Sequence, residues 1–243
     1  CMNAHWPKHK VWHKMQKARA KEMREGAGPE NTRLLAEEQA RIAERTGDEY
    51  QKRMAAGIAL NAEGDQNAAA KAWRKIIKEW PDRAAPYHNL ANVMVRSGRV
   101  AEAASMYLKA MELHEDGTKE WAEAAASAFE TLKTDDCREV PKPEWWDDEA
   151  LKALSVRMVA LAPDGHKPCT MRARVLCGDA LGKALWNVGP RTPAEIKEAA
   201  TWYRRAARLT VSPADKRHYE QFAQQCDEFA DPLLAKEEAE AAK

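Results

Sequence analysis

The chain has 243 residues, 44% hydrophobic and 32% charged, with a formal net charge of +1. That near-neutral balance gives no global pull toward nucleic acid or an anionic membrane, and no apolar run reaches the roughly 18 residues that a spanning helix needs. Abundant Ala, Glu, Lys, Arg and Leu, with only 3 Phe, favour a soluble, helix-rich chain.

The five cysteines, Cys1, Cys137, Cys169, Cys177 and Cys226, are odd in number and scattered. No disulfide framework is expected, and a reducing cytoplasmic or nuclear compartment is the simpler reading. No secretory signal is visible in the sequence.

The chain opens on Cys1 rather than methionine, so a preceding portion is expected to be missing. Within C-M-N-A-H-W-P-K-H-K-V-W-H, His9 and His13 are four apart and would present both imidazoles on one side of a helix. Neutral imidazole and thiolate are the donors zinc takes in tetrahedral sites. Cys1, Trp6, Pro7 and His9 resemble the last segment of a MYND-type zinc finger, with His13 standing where that family has cysteine. The resemblance implies zinc as cofactor. It assigns Cys1 to one ion and His9 with His13 to another, in a cross-braced pair. The remaining ligands lie upstream in that family, so neither site is expected to close in this chain. The alternative for His9 and His13 is two surface histidines on an amphipathic helix, and His5 falls at no ligand position. From Lys8 to Arg24 the segment is rich in Lys and Arg against Glu22 alone. It reads as a solvated face, or else as a contact for phosphates or an acidic partner. Gly26-Ala27-Gly28-Pro29 then breaks the helix, which sets off residues 1–26.

Residues 31–230 read as one helical repeat region. Asn31 or Thr32 caps a first helix whose apolar stripe is Leu35, Ile42 and Ala43. Between Tyr50 and Gly117 the chain nearly repeats at an offset of 34: Gly64 recurs as Gly98, Ala69 as Ala103, Trp73 as Tyr107 and Ile76 as Ala110. Each unit, 50–83 and 84–117, predicts an inner helix, a glycine turn and an outer helix. Ala56-Gly57 would let the two helices approach closely, Leu60 follows on the first inner helix, and Pro81 would end the first outer helix. Tyr87, Leu90, Ala91 and Met94 would lie on the second inner helix. A period near 34 resembles that of tetratricopeptide (TPR) arrays. The resemblance implies an all-α fold, a right-handed superhelical stack of antiparallel helix pairs.

Two degenerate units follow, 118–163 and 168–211. The first pairs an inner helix carrying Trp121, Ala124, Ala125 and Ala128 with an outer helix over 149–161. An insertion from Lys133 to Asp148 separates them. Its Trp145-Trp146 pair either docks a partner or folds back over the stack. The second unit would place Val175, Cys177, Gly178, Leu181 and Leu185 on its inner helix and Ala199, Tyr203 and Ala206 on its outer one. A capping helix over 213–229 is expected to stop at Pro232, leaving 231–243 as a frayed tail. His166, Cys169 and Cys177 lack an evident fourth metal ligand, and Cys177 stands where a repeat wants a small buried residue.

The TPR resemblance implies a scaffold holding a protein or peptide in a concave groove. A monomer is expected, and the charge balance and lack of a spanning run give no expectation of a membrane or nucleic-acid partner. Groove-facing candidates are Gln51, Met54, Ile58, His88, Asn89, Asn92, Arg96 and Lys119. The family's chaperone-binding carboxylate clamp is matched by Asn89 and Lys119, but Met54, Ile58 and Glu123 depart from it, so that binding is not expected. A purely structural spacer is the alternative. A further one is the C-terminal part of a MYND-containing lysine methyltransferase, though no SET-type Asn-His-Ser-Cys motif stands in the chain. No catalytic constellation is evident, and no enzyme activity is expected.

Overall fold

The computed structural model describes residues 37, 38, 40–45, 47–182 and 184–241; Cys1, His9 and His13 lie outside them. Among the described residues the regular structure is all helical, arranged as antiparallel pairs.

The first two pairs follow local rules closely. Helix α1 (Glu49–Ala62) begins where the Asp48 carboxylate accepts from the amides of Tyr50 (2.9 Å) and Gln51 (3.3 Å). Helix α2 (Gln66–Glu79) begins where Asp65 accepts from the Ala68 amide at 2.9 Å, and it stops just before Pro81. Helices α3 (Ala84–Arg96) and α4 (Val100–Leu113) repeat the pair, with Arg83 and Arg99 at the N-cap positions and no side-chain cap on either. The turns rest on Gly64 (φ +83°) and Gly98 (φ +81°), a left-handed backbone that side-chain-bearing residues resist.

The repeat positions become the core. Trp73, Ile76, Leu90 and Tyr107 are 1–3% exposed, and Ala69, Ala91, Ala103 and Ala110 are fully buried. At Gly57 a Cβ would stand 2.6 Å from the Trp73 ring, so the close approach of α1 and α2 depends on that glycine. Ala56 plays no part in it, being exposed. The expected leading stripe is also thinner than its spacing suggests. Ala43 is buried, Ile42 is 47% exposed, and Leu35 lies outside the described residues.

The third pair is α5 (Lys119–Leu132) and α6 (Asp148–Leu161), capped by Thr118 and Asp147. Between them a 3-10 turn (Asp135–Cys137) and the Pro141–Trp146 segment fold back over the stack. Trp146 packs against Phe129 and Trp186 at ring distances of 5.6 and 6.1 Å, and its Nε1 donates to the Leu185 carbonyl at 3.2 Å. The insertion therefore serves the core with both tryptophans half-buried.

The fourth pair departs from expectation. Helix α7 (His166–Cys177) ends before Leu181 and Leu185, which lie in a loop. The cause is Gly178, which turns left-handed (φ +52°) with Val188 2.7 Å from where its Cβ would be. The loop runs back to bury Ala184 and Trp186 in the core of the third pair. Helix α8 (Pro193–Leu209) opens with a capping box between Thr192 and Glu195 and buries Ala199, Tyr203 and Ala206. Helix α9 (Pro213–Ala241) runs through Pro232 instead of breaking there. Packing on both sides of the proline outweighs the lost amide bond. Ala230 is fully buried, Leu234 packs on the same core, and Lys197 of α8 holds Asp227 (2.8 Å) and Asp231 (2.5 Å).

Candidate functional site

The first helices of successive pairs, α3, α5 and α7, bring polar side chains to one face, where α5 packs directly on α7. Its centre is Lys167. This half-buried ammonium donates to Ser127 Oγ of α5 at 2.9 Å and lies 5.6 Å from the Tyr107 ring centre. Burial pushes its pKa down, while Glu123 and Glu130 pull it back up. Among the described residues no carboxylate comes within ion-pairing distance of it. An ammonium has three donors, so Lys167 retains hydrogen-bonding capacity.

Around it the charges are muted by burial. His88 sits edge-on to Tyr107 at 5.1 Å, and its pKa is lowered to about 3, chiefly by burial, so it is neutral at physiological pH. Burial raises the Glu123 carboxyl, with Lys167 and Lys119 opposing. Glu130 Oε1 is buried without a hydrogen-bond partner, while its other oxygen pairs with Lys133 at 3.0 Å.

The sequence-derived candidates fall into three groups. His88, Asn89 and Asn92 lie half-buried on α3, and Asn92 Oδ1 accepts from the Tyr107 hydroxyl at 2.7 Å. Arg96 and Lys119 are exposed but engaged, Arg96 with Asn61 Oδ1 at 2.8 Å and Lys119 with Asp164 at 2.6 Å. Met54 and Ile58 are 7% and 9% exposed and belong to the core, so their assignment to the groove is corrected by packing. Lys167 and Ser127 were missed by sequence reasoning. Lys167 stands at the start of the fourth inner helix, where a polar residue in the first turn was the available signal.

The metal reading of His166, Cys169 and Cys177 finds no geometry. Among the described residues no group of three or more His, Cys, Asp or Glu side chains is placed to hold an ion. Burial pushes the Cys169 thiol up to about 11, whereas Cys177 is drawn down by its hydrogen bond with Cys226 and by Arg174.

No protein-family model and no curated protein matches the chain. Among solved structures, yeast Tom70 superposes with a TM-score of 0.52 at 16% identity, over 87% of this chain. The fold is a TPR-like helical stack. This TPR-like chain spans 40% of the Tom70 structure's length. YrrB, described as a TPR protein with an unusual peptide-binding site, superposes at 0.46 and 16% identity, over 83% of this chain and 91% of that one. MamA does so at 0.43 and 16% identity, over 77% and 97%. Among the described residues no helix is long and apolar enough to cross a membrane.

Proposed function

We propose that the chain is a protein–protein interaction scaffold that holds a peptide against the face formed by α3, α5 and α7. Lys167 carries this reading. It is a cation set among helices, hydrogen-bonded to one hydroxyl and lacking a carboxylate partner among the described residues. A carboxylate or carbonyl of a bound peptide would complete it, with His88 and Asn89 beside it as neutral polar contacts. Lys119 is already paired with Asp164 and core residues occupy positions 54 and 58, so the ligand is not the C-terminal peptide of a chaperone clamp. No catalytic role is proposed. The buried free thiols of Cys137, Cys169, Cys177 and Cys226 suit a reducing compartment, cytoplasmic or nuclear.

Selecting peptides from a displayed library on the full chain, then measuring their Kd by calorimetry, tests this. Selected peptides should bind about tenfold more weakly to Lys167→Gln, the loss of one charged hydrogen bond, with the thermal melt retained. A peptide ending in EEVD with a free carboxylate should not bind. Equal affinity for both proteins, or no enrichment at all, would instead support the structural-spacer reading. The zinc sites that the MYND resemblance implies at Cys1, His9 and His13 are a separate proposal; three donors do not close two tetrahedral sites, so metal analysis of the purified chain should find no stoichiometric, chelation-resistant zinc.

A further inference from the structure

The outward face of α2 carries charge of one sign. Lys71, Arg74, Lys75 and Lys78 recur at i, i+3, i+4 and i+7, on the side of the helix opposite Ala69, Trp73 and Ile76. All four are exposed, and together they span roughly 10 Å of the helix axis. Among the described residues none of them has a carboxylate within ion-pairing distance. The acids nearest in electrostatic terms are engaged elsewhere. Glu102, which feels Arg74, accepts from Arg99 Nε at 2.6 Å, and Glu49, which feels Lys75, accepts from Arg53 Nε at 2.9 Å. On α8, by contrast, Lys197 and Arg204 are both neutralised by Asp227.

This stripe borders a pocket of about 430 Å³ between the first two pairs, walled by Ala70, Val93 and Met94 and by the Gln66, Lys71 and Arg74 side chains. Two polar features of the pocket are incomplete in the free protein. Gln66 Oε1 is buried without a hydrogen-bond partner. Arg99, also on the pocket wall, is the N-cap of α4 and supplies no side-chain cap, so the first amides of that helix lack one.

We propose that this face is a second interaction surface and that it takes an acidic peptide segment. Carboxylates would lie along Lys71, Arg74, Lys75 and Lys78, and one acidic side chain would enter the pocket toward Arg74 and the N-terminus of α4. The apolar wall and the unpartnered amide oxygen favour a peptide, which brings both aliphatic groups and N–H donors. A nucleic acid would want aromatic platforms for its bases, and the pocket has none among its lining residues. The surface shares no residue with the Lys167 face and stands independently of it.

Fluorescence anisotropy of the full chain with a fluorescein-labelled oligo-glutamate peptide tests the proposal. Binding should weaken as salt rises. It should fall about tenfold or more in Lys71→Glu/Arg74→Glu, where attraction becomes repulsion. Thermal melts establish that the variants fold, and Lys71→Gln/Arg74→Gln serves if charge reversal does not. Absence of binding, or binding that survives in the α2 variants, overturns the proposal. So does a single-stranded oligonucleotide that binds more tightly through the same residues, which would assign the face to nucleic acid. Self-association in sedimentation that the same variants abolish would assign it to a second copy of the chain, again overturning the peptide.

Discussion

The stretch from Glu49 to Leu113 and the stretch from Lys119 to Leu209 solve one packing problem in two ways. In the first, three-residue links carry the chain from each inner helix to its outer helix, and the core is almost wholly apolar. In the second, both inner-to-outer links are long, and the extra chain must be held. Asp148 at the start of α6 does much of this. Its carboxylate pairs with Arg191 through both oxygens (2.5 and 2.8 Å) and also accepts from Trp186 Nε1 and the Gly189 amide, each at 3.1 Å. Arg191 Nε in turn donates to the Val175 carbonyl at 3.1 Å. Short links let apolar periodicity alone specify a repeat. Long links need a buried polar knot that ties distant segments together.

The largest expected effect breaks the first region. Trp73→Ala should cost about 3–5 kcal/mol in chemical denaturation, and the loss should propagate because each pair leans on its neighbour. An unchanged midpoint would show that Trp73 is not the anchor. Next, Arg191→Met leaves the Asp148 charge nearly buried with weaker partners, since Lys152 approaches only to 3.7 Å. A loss of about 2–3 kcal/mol is expected, and limited proteolysis should cut first within 178–192. Cleavage elsewhere would dissolve the contrast drawn between the regions.

The effect that is smallest per step, a slope with pH, separates the regions. His88 is neutral when folded, with its pKa lowered to about 3, and gains a proton in the unfolded chain below about 6.5. Stability should therefore decline as pH falls from about 6.5 toward 3, by at most about 1.4 kcal/mol per unit. Asp148 is held down at about 2 by Arg191, so its contribution is complete above the unfolded value near 4 and is lost as pH falls through about 2. Urea titrations across this range should show His88→Gln with a shallower slope between pH 6.5 and 4, the two bounds just derived. The slope should not vanish, because burial lowers His114 and His166 as well. A slope identical to wild type would remove His88 as its source.

The first region was legible because its information is local. Glycine turns and a small–aromatic spacing act within one helix pair, and the same spacing exposed α8 through Ala199 and Tyr203. The end of α7 was not legible, because it depends on Val188 meeting Gly178 and on Arg191 reaching Asp148 across the fold. Pro232 misled for a related reason: the helix around it is held by Ala230, Leu234 and the ion pairs of Lys197. At the proposed site, helical register put His88, Asn89 and Asn92 on one helix, and they lie half-buried on α3. Lys167 was not legible, because it falls just ahead of the unit read from 168 and its approach to Ser127 depends on how α5 and α7 pack.

One detail of the regular half ties two positions together. Tyr107 hides its hydroxyl by donating to Asn92, whereas the Trp73 indole nitrogen is buried with no acceptor. Stepping back one repeat from Asn92 by the offset of 34 arrives at Ile58. The two repeats thus carry matched alleles of one anchor, tyrosine with asparagine and tryptophan with isoleucine. Exchanging Asn92 for isoleucine would strand the Tyr107 hydroxyl in the core, as the Trp73 indole nitrogen already is one repeat earlier. Asn92 is therefore answerable to its neighbour's hydroxyl before it is answerable to any ligand.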